Sequence, residues 1–111
     1  MKKKKDLNDA ALEMIATRFR LMSEPMRLKI LHTLGEREMN VSDIVAATGA
    51  NQANVSKHLG ILYDAGVVTR RKEGLTVNYR VSDDTIFELC DVVCSRLKSQ
   101  FDLRRFALSD L

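Results

Sequence analysis

The chain is poor in the residues that proteins commonly use for cross-links and for catalysis. Its 111 residues include two cysteines, two histidines, one proline and no tryptophan. Two cysteines cannot build the disulfide framework of a small secreted domain, and Cys90 and Cys94 lack the Cys-x-x-Cys spacing of a redox or zinc motif. No nucleophile–base pair or metal-ligand cluster stands out either. We therefore predict that the protein is not an enzyme.

Long apolar runs and a strong charge imbalance are also missing. No stretch approaches the roughly 18 apolar residues that a membrane-spanning helix needs. No apolar segment follows the N-terminal lysines, as it would in a secretory signal. We therefore expect a cytoplasmic protein without membrane contact. The formal net charge is only +3, which permits nucleic-acid binding through a local basic face without requiring it.

A chain of this length is expected to form one domain. We predict a disordered basic tail over residues 1–6 and a folded domain over residues 7–101. The extension over residues 102–111 fits either a continued helix or a segment that folds back.

Four helices are predicted in the first two thirds of the chain, because apolar residues recur there at steps of three and four. Residues suited to helix ends bound them: a proline in a first turn, asparagines at N-termini and glycines at C-termini. The boundaries are Leu7 to Met22, Pro25 to Gly35, Asn40 to Gly49, and Asn51 to Gly66.

Two short strands and a last helix complete the pattern. The strands, residues 67–72 and 76–81, flank a hairpin signal at Gly74. The last helix is capped by Asp83 or Asp84 and carries an apolar stripe that includes Ile86 and Val93. The sequence thus predicts a mainly α fold with a small β-hairpin wing (α+β). This is a winged helix-turn-helix in the order α-α-α-α-β-β-α, whose fourth helix is suited to enter the DNA major groove.

Three ordered motifs are similar to those of a known family. Residues 25–31 resemble its P-x-R-L-x-I-L opening, and residues 51–59 resemble its S-Q-x-x-V-S-x-H-L recognition helix. Residues 64–74 resemble its x-A-G-L-V…R-R-x-G wing. Over residues 21–82 the chain therefore resembles the ArsR/SmtB family of bacterial winged-helix repressors. The resemblance implies a homodimer, built mainly through the first and last helices, that represses a near-palindromic operator until an inducer weakens binding.

The resemblance also implies which side chains meet DNA. Gln and Asn can make bidentate contacts to adenine, whereas Ser and Lys mostly bind phosphates. The expected contacts in the recognition helix are Gln52, Ala53, Asn54, Ser56, Lys57 and His58, and those in the wing are Arg70, Arg71, Lys72, Gly74 and Thr76.

The family's two well-known metal sites are not expected in this chain. Asn40 and Ser42 stand where arsenic-sensing relatives carry thiolates, and neither binds a soft ion well. Thr85, Ile86, Leu97 and Gln100 occupy positions where a zinc site on the last helix would need histidines or carboxylates. We expect no cofactor, and the inducer stays open.

Cys90 and Cys94 leave two interpretations open. At i and i+4 they share one helix face, so two subunits could bring thiols together for a soft metal or a redox signal. The alternative is a structural role, because free cysteine is among the most buried residue types and both lie in or beside the apolar stripe. The structural role is favoured.

One functional alternative comes from a different class, a winged-helix module that binds another protein and not DNA. Such modules usually lose the polar and basic residues of the recognition helix. Gln52, Asn54, Ser56 and Lys57 therefore favour DNA.

Overall fold

A computed structural model describes residues 6–101 of the chain. The predicted extension at 102–111, and the tail apart from Asp6, lie outside the described residues. Within them the structure has five helices and three strands. The elements are α1 (Asp9–Met22), α2 (Pro25–Leu34), β1 (Met39–Asn40), α3 (Val41–Thr48), α4 (Gln52–Asp64), β2 (Val68–Glu73), β3 (Thr76–Val81) and α5 (Thr85–Gln100). The predicted winged helix-turn-helix fold is confirmed.

The chain divides into two compact units, Met1–Val81 and Ser82–Leu111. The described part of the first unit holds α1 to α4 and the sheet. The second contains α5, which begins at the predicted position. The side chain of Asp83 accepts a hydrogen bond from the backbone N–H of Thr85 at 3.2 Å. In this helix Ile86 is buried, being 2% exposed.

The caps of α3 and α4 lie where the sequence predicts them. Asn40 Oδ1 accepts from the backbone N–H of Asp43 at 2.8 Å, and Asn51 Oδ1 accepts from that of Asn54 at 2.8 Å. Each bond satisfies a backbone donor that has no partner inside the helix. Gly49 ends α3 with φ +75°, a conformation that costs other residues about 1–2 kcal/mol. These caps set the turn between the two helices.

The hydrophobic core of the first unit lies among α2, α3, α4 and the start of β2. Burial of each large aliphatic side chain stabilises the fold by about 1.5–3 kcal/mol. Because one face of α4 is committed to this core, its opposite face is left for solvent or a ligand. The fully buried side chains are Ile30, Leu31, Leu34, Ile44, Val55, Leu59, Leu62, Val67 and Val68.

The sheet is antiparallel, in the order β1-β3-β2. The predicted hairpin is present, with Glu73 opposite Thr76 across a two-residue loop. Gly74 has φ +61°, and among residues 6–101 only glycines have a positive φ. A glycine with positive φ at the first loop position, followed by Leu75 with negative φ, is the pattern of a type II′ turn. The sequence did not predict β1. Two residues show no periodicity, and this strand exists only because Met39 and Asn40 pair with β3.

Candidate nucleic-acid interface

The outer face of α4 carries most of the predicted base-reading residues. At about 100° per residue, Gln52, Ser56, Ala53 and Lys57 fall within one arc, and all four are exposed. Val55, Leu59 and Leu62 occupy the opposite face in the core. The N-terminal half of α4 therefore presents two polar side chains, a lysine and a small alanine outward. Asn54 lies at the edge of this face and is half-buried.

The expected outward position of His58 is wrong. Its ring is 5% exposed, and its Nε2 lies 3.2 Å from Glu24 Oε2. The residue is three positions after Val55 and four before Leu62, so it shares their buried face. That spacing is visible in the sequence, whereas the outward position was implied only by the resemblance of residues 51–59 to the family's recognition helix.

Arg27 completes a polar cluster around His58. Its Nη1 lies 3.5 Å from His58 Nδ1, and its Nε donates to the carbonyl of Leu21 at 2.8 Å. If Nε2 carries the imidazole proton, His58 donates to Glu24 and accepts from Arg27, which satisfies all three groups. Glu24 also accepts from the backbone N–H of Met26 at 3.2 Å, at the start of α2. The cluster therefore joins α4 to the corner between α1 and α2.

The three predicted cations of the wing lie on β2 but not on one face. Arg70 is opposite Tyr79 and Lys72 is opposite Val77, whereas Arg71 is opposite Asn78. Because directly opposed residues share a face and neighbours along a strand alternate, Arg71 projects away from the other two. The pair Arg70 and Lys72 thus forms one basic face.

Arg70 connects the wing to the end of α4. Its guanidinium lies over the ring of Tyr63, 3.9 Å from the ring centroid, a cation–π contact that is worth most when it is shielded from solvent. A hydrogen bond with Tyr79 and the proximity of Tyr63 raise the pKa of Arg70. This contact was not predicted, because nothing local in the sequence brings residues 63 and 70 together.

Arg71 is held by two carboxylates. Its Nη2 donates to Glu38 Oε1 at 2.6 Å and its Nε to Glu38 Oε2 at 3.3 Å. Its Nη1 lies 2.7 Å from Glu73 Oε2. The hydrogen bond with Glu38 is the main reason that the pKa of Arg71 is raised, and the same bond lowers the pKa of Glu38. Glu38 is not among the residues predicted for the site, and it lies 33 residues from Arg71 in the chain.

The tip of the wing consists of Gly74 and Leu75, with Thr76 beginning β3. Leu75 is fully exposed. Gly74 offers no side chain, so a backbone can approach it closely. The predicted wing contacts at Gly74 and Thr76 are therefore accessible, beside an apolar tip residue.

Metal-binding side chains are not grouped in the described part of the chain, and its two thiols lie on α5. Between residues 6 and 101, no group of three or more His, Cys, Asp or Glu side chains is arranged to bind a metal. Cys90 and Cys94 are free thiols and half-buried. Burial, followed by the charge of Asp91, raises the pKa of the Cys90 thiol, which makes it a weaker nucleophile at neutral pH. A sensory role for the thiols stays a prediction.

The arrangement defines a class of protein. A helix-turn-helix whose second helix exposes polar side chains, followed directly by a hairpin with basic residues, is a winged helix-turn-helix regulator. Residues 24–70 match the model of the family described as "Bacterial regulatory protein, arsR family". The chain belongs to the ArsR family, whose members regulate transcription and are not enzymes. Between residues 6 and 101, every helix is too short or too polar to span a bilayer.

Known relatives and structures support this assignment. The chain is 33% identical over 94 residues to the HTH-type transcriptional regulator Rv0081 of Mycobacterium tuberculosis, covering 84% of this chain and 82% of that protein. The crystal structure of Rv0081 superposes with a TM-score of 0.76 at 29% identity, covering 89% of this chain and all of that one. A homodimeric winged helix-turn-helix DNA-binding domain from Mycobacterium bovis superposes with a TM-score of 0.70 at 30% identity, covering 88% and 91% of the two chains.

Proposed function

We propose that this protein is a homodimeric repressor that binds a near-palindromic DNA operator through the outer face of α4 and through the wing. The outer face of α4 carries the proposal. Its core-facing side chains fix the orientation of the helix, so that Gln52, Ser56 and Lys57 project outward near its N-terminus. The alternative of a protein-binding module is not favoured, since the relatives are transcriptional regulators.

The contacts divide into base reading and phosphate binding. Gln52, and Asn54 at the edge, carry amides that can pair with adenine, while Ser56 and Lys57 are suited to phosphates. Ala53 lets the backbone of α4 come close to the base pairs. In the wing, Arg70 and Lys72 form the basic face, Arg71 is a further phosphate contact on the opposite face, and Gly74 and Thr76 lie near the tip. His58 is removed from the proposed contacts because it is buried.

Exposed apolar side chains support dimerisation. Along α1, Leu12, Ile15 and Phe19 are 48%, 40% and 55% exposed and recur at helical spacing. On α5, Val92 and Val93 are 67% and 50% exposed. Apolar clusters of this kind mark interaction surfaces, and the related domain from M. bovis is homodimeric. We propose that a second copy of the chain covers them.

A salt titration on random duplex DNA tests the DNA-binding function. We expect measurable binding at low salt that weakens steeply as salt is added, with a slope of about −0.9 for each phosphate contact. Fluorescence anisotropy of a labelled duplex measures it. Absence of binding at low salt would support the protein-binding alternative.

The division of roles on α4 predicts different effects for two substitutions. Gln52→Ala should relax base preference at one operator position, where a bidentate contact is worth about 1–3 kcal/mol of discrimination. Lys57→Ala should weaken binding to all sequences alike and make the salt slope shallower by about 1. Binding to a library of duplexes, with sequencing of the bound fraction, measures both.

Lys29→Ala provides the matched control, because Lys29 is an exposed lysine on α2, a helix that shares the core with the inner face of α4. It removes the same charge and should leave the salt slope unchanged. Equal losses for Lys57→Ala and Lys29→Ala would show that Lys57 makes no local phosphate contact.

The thiols predict a separate result. We propose that operator binding needs no cofactor, and that Cys90 and Cys94 can act only in release. If they are structural, replacing both with serine should leave operator affinity and any release by arsenite, cadmium or a mild oxidant unchanged. If the double variant binds normally but release is lost, the thiols are the sensor. Operator release followed by anisotropy distinguishes the two roles.

A further inference from the structure

Glu38 holds Arg71 in the way that a phosphate would. Two nitrogens of the guanidinium donate to the two oxygens of one carboxylate, at 2.6 and 3.3 Å. This fork geometry is the one in which arginine binds phosphate oxygens of DNA. The remaining Nη1 is occupied by Glu73 at 2.7 Å. Every nitrogen that Arg71 could offer to a phosphate therefore already faces a carboxylate oxygen.

The strand register shows that Glu38 lies on the side of the sheet that carries Arg71 and Asn78, opposite to the basic face of Arg70 and Lys72. Met39 pairs with Tyr79 and Asn40 with Asn78, and Asn78 in turn is opposite Arg71. Glu38 precedes β1 and by alternation lies on the side of Asn40 and Asn78. Arg80, on the same face of β3, also lowers the pKa of Glu38. Glu38 thus stays negatively charged at neutral pH, close to the two wing cations Arg71 and Arg80.

Arg71 and Glu38 remain accessible to solvent, with side chains 54% and 33% exposed. An exposed ion pair is weak, because water and salt screen it. DNA can therefore displace Glu38 without any change of fold. DNA binding must compensate for the loss of the bidentate, charge-assisted contact between Arg71 and Glu38 that the free protein already has.

We propose that Glu38 is an intramolecular competitor for the DNA phosphate at Arg71, and that it sets the affinity of the wing for the DNA backbone. The inference rests on the proposed DNA-binding function. In the free protein Arg71 is neutralised by Glu38 and Glu73. In the complex a phosphate replaces Glu38, and the released carboxylate turns to solvent. Affinity is lowered equally for all sequences, because no base edge is involved.

The substitution Glu38→Gln tests this competition, since glutamine keeps the shape and removes the charge. We expect Glu38→Gln to bind random duplex DNA about three- to fivefold more tightly than the wild type at constant salt, the scale of an exposed ion pair. Anisotropy on random and selected duplexes should show the same gain for both.

Glu36→Gln is the matched control for net charge. Glu36 is exposed in the same segment between α2 and β1, so its removal changes the overall field by nearly the same amount. We expect a gain below twofold for Glu36→Gln. A second control uses the background of Arg71→Gln, in which the gain from Glu38→Gln should vanish, because a double-mutant cycle isolates the coupling between the two side chains.

The outcomes separate this inference from the proposed function. If the wild type does not bind duplex DNA at low salt, the proposed function is wrong. If the wild type binds and Glu38→Gln binds equally or more weakly, Glu38 does not compete with DNA. Weaker binding by Glu38→Gln would mean that Glu38 orients Arg71 for the DNA contact. A gain that persists in the Arg71→Gln background would also overturn the inference. Thermal unfolding of each variant confirms that the fold is retained.

Discussion

The variant Phe19→Glu should be monomeric at micromolar concentration and should bind the operator more than about 100-fold more weakly than the wild type. Phe19 is the most exposed of the three apolar side chains that recur along α1. A buried glutamate in the proposed dimer interface would be desolvated without a partner, which is strongly unfavourable. Two linked recognition helices exceed the affinity of one by a factor of about 10²–10⁴, so loss of the dimer removes that factor. Light scattering during size-exclusion chromatography measures the mass.

Met14→Glu is the matched control on the same helix. Met14 is 75% exposed and lies about 140° around α1 from Phe19, so it faces away from the proposed interface. The same change from an apolar side chain to a carboxylate should leave the dimer intact and operator affinity within about twofold, the size of a screened surface effect. If Phe19→Glu remained dimeric with unchanged affinity, α1 would not be part of the interface.

The variant Arg27→Met should lower the free energy of unfolding by about 2–3 kcal/mol. Arg27 donates to the carbonyl of Leu21 at the end of α1 and lies against the buried ring of His58. Hydrogen bonds from charged groups are worth about 1.5–3 kcal/mol, and the partners left behind are shielded from water. Urea unfolding at fixed protomer concentration measures the change, since dimerisation makes the stability depend on concentration.

Arg37→Met tests whether the half-buried position of Arg27 is needed for this effect. Arg37 also donates to a helix carbonyl, that of Thr33 at 2.6 Å, but it is exposed. We expect the free energy of unfolding of Arg37→Met to change by less than about 0.5 kcal/mol.

Under conditions where Arg27→Met is still folded, the DNA affinity of this variant should match that of the wild type. Weak DNA binding by a fully stable Arg27→Met would instead place Arg27 in the DNA contact.

The helices and the hairpin could be predicted because their causes are local. Asn40 and Asn51 cap helices through bonds that span three residues, and Gly49 ends a helix through its own backbone freedom. The alternation of residues 76–81 predicts a strand, which pairs across a two-residue loop. Helix, turn and hairpin signals in this order allow few folds other than a winged helix-turn-helix.

The site was predicted only in part, for two different physical reasons. The burial of His58 follows from its spacing to Val55 and Leu62, a helical periodicity that is present in the sequence. The ion pair of Glu38 with Arg71 has no such signal. It spans 33 residues and depends on the pairing of β1 with β3. The sequence gives no sign of β1, because this strand has only two residues.

The sequence by itself determined the order of the elements, their caps and the side of α4 that Gln52 and Lys57 occupy, because these depend on contacts within a few residues. The tertiary structure alone decided which polar groups are available for DNA. It buried His58 between Glu24 and Arg27, turned Arg71 toward Glu38 and placed Arg70 over Tyr63. Electrostatic pairing depends on distance in space, and most of these distances are set by packing between segments that are far apart in the chain.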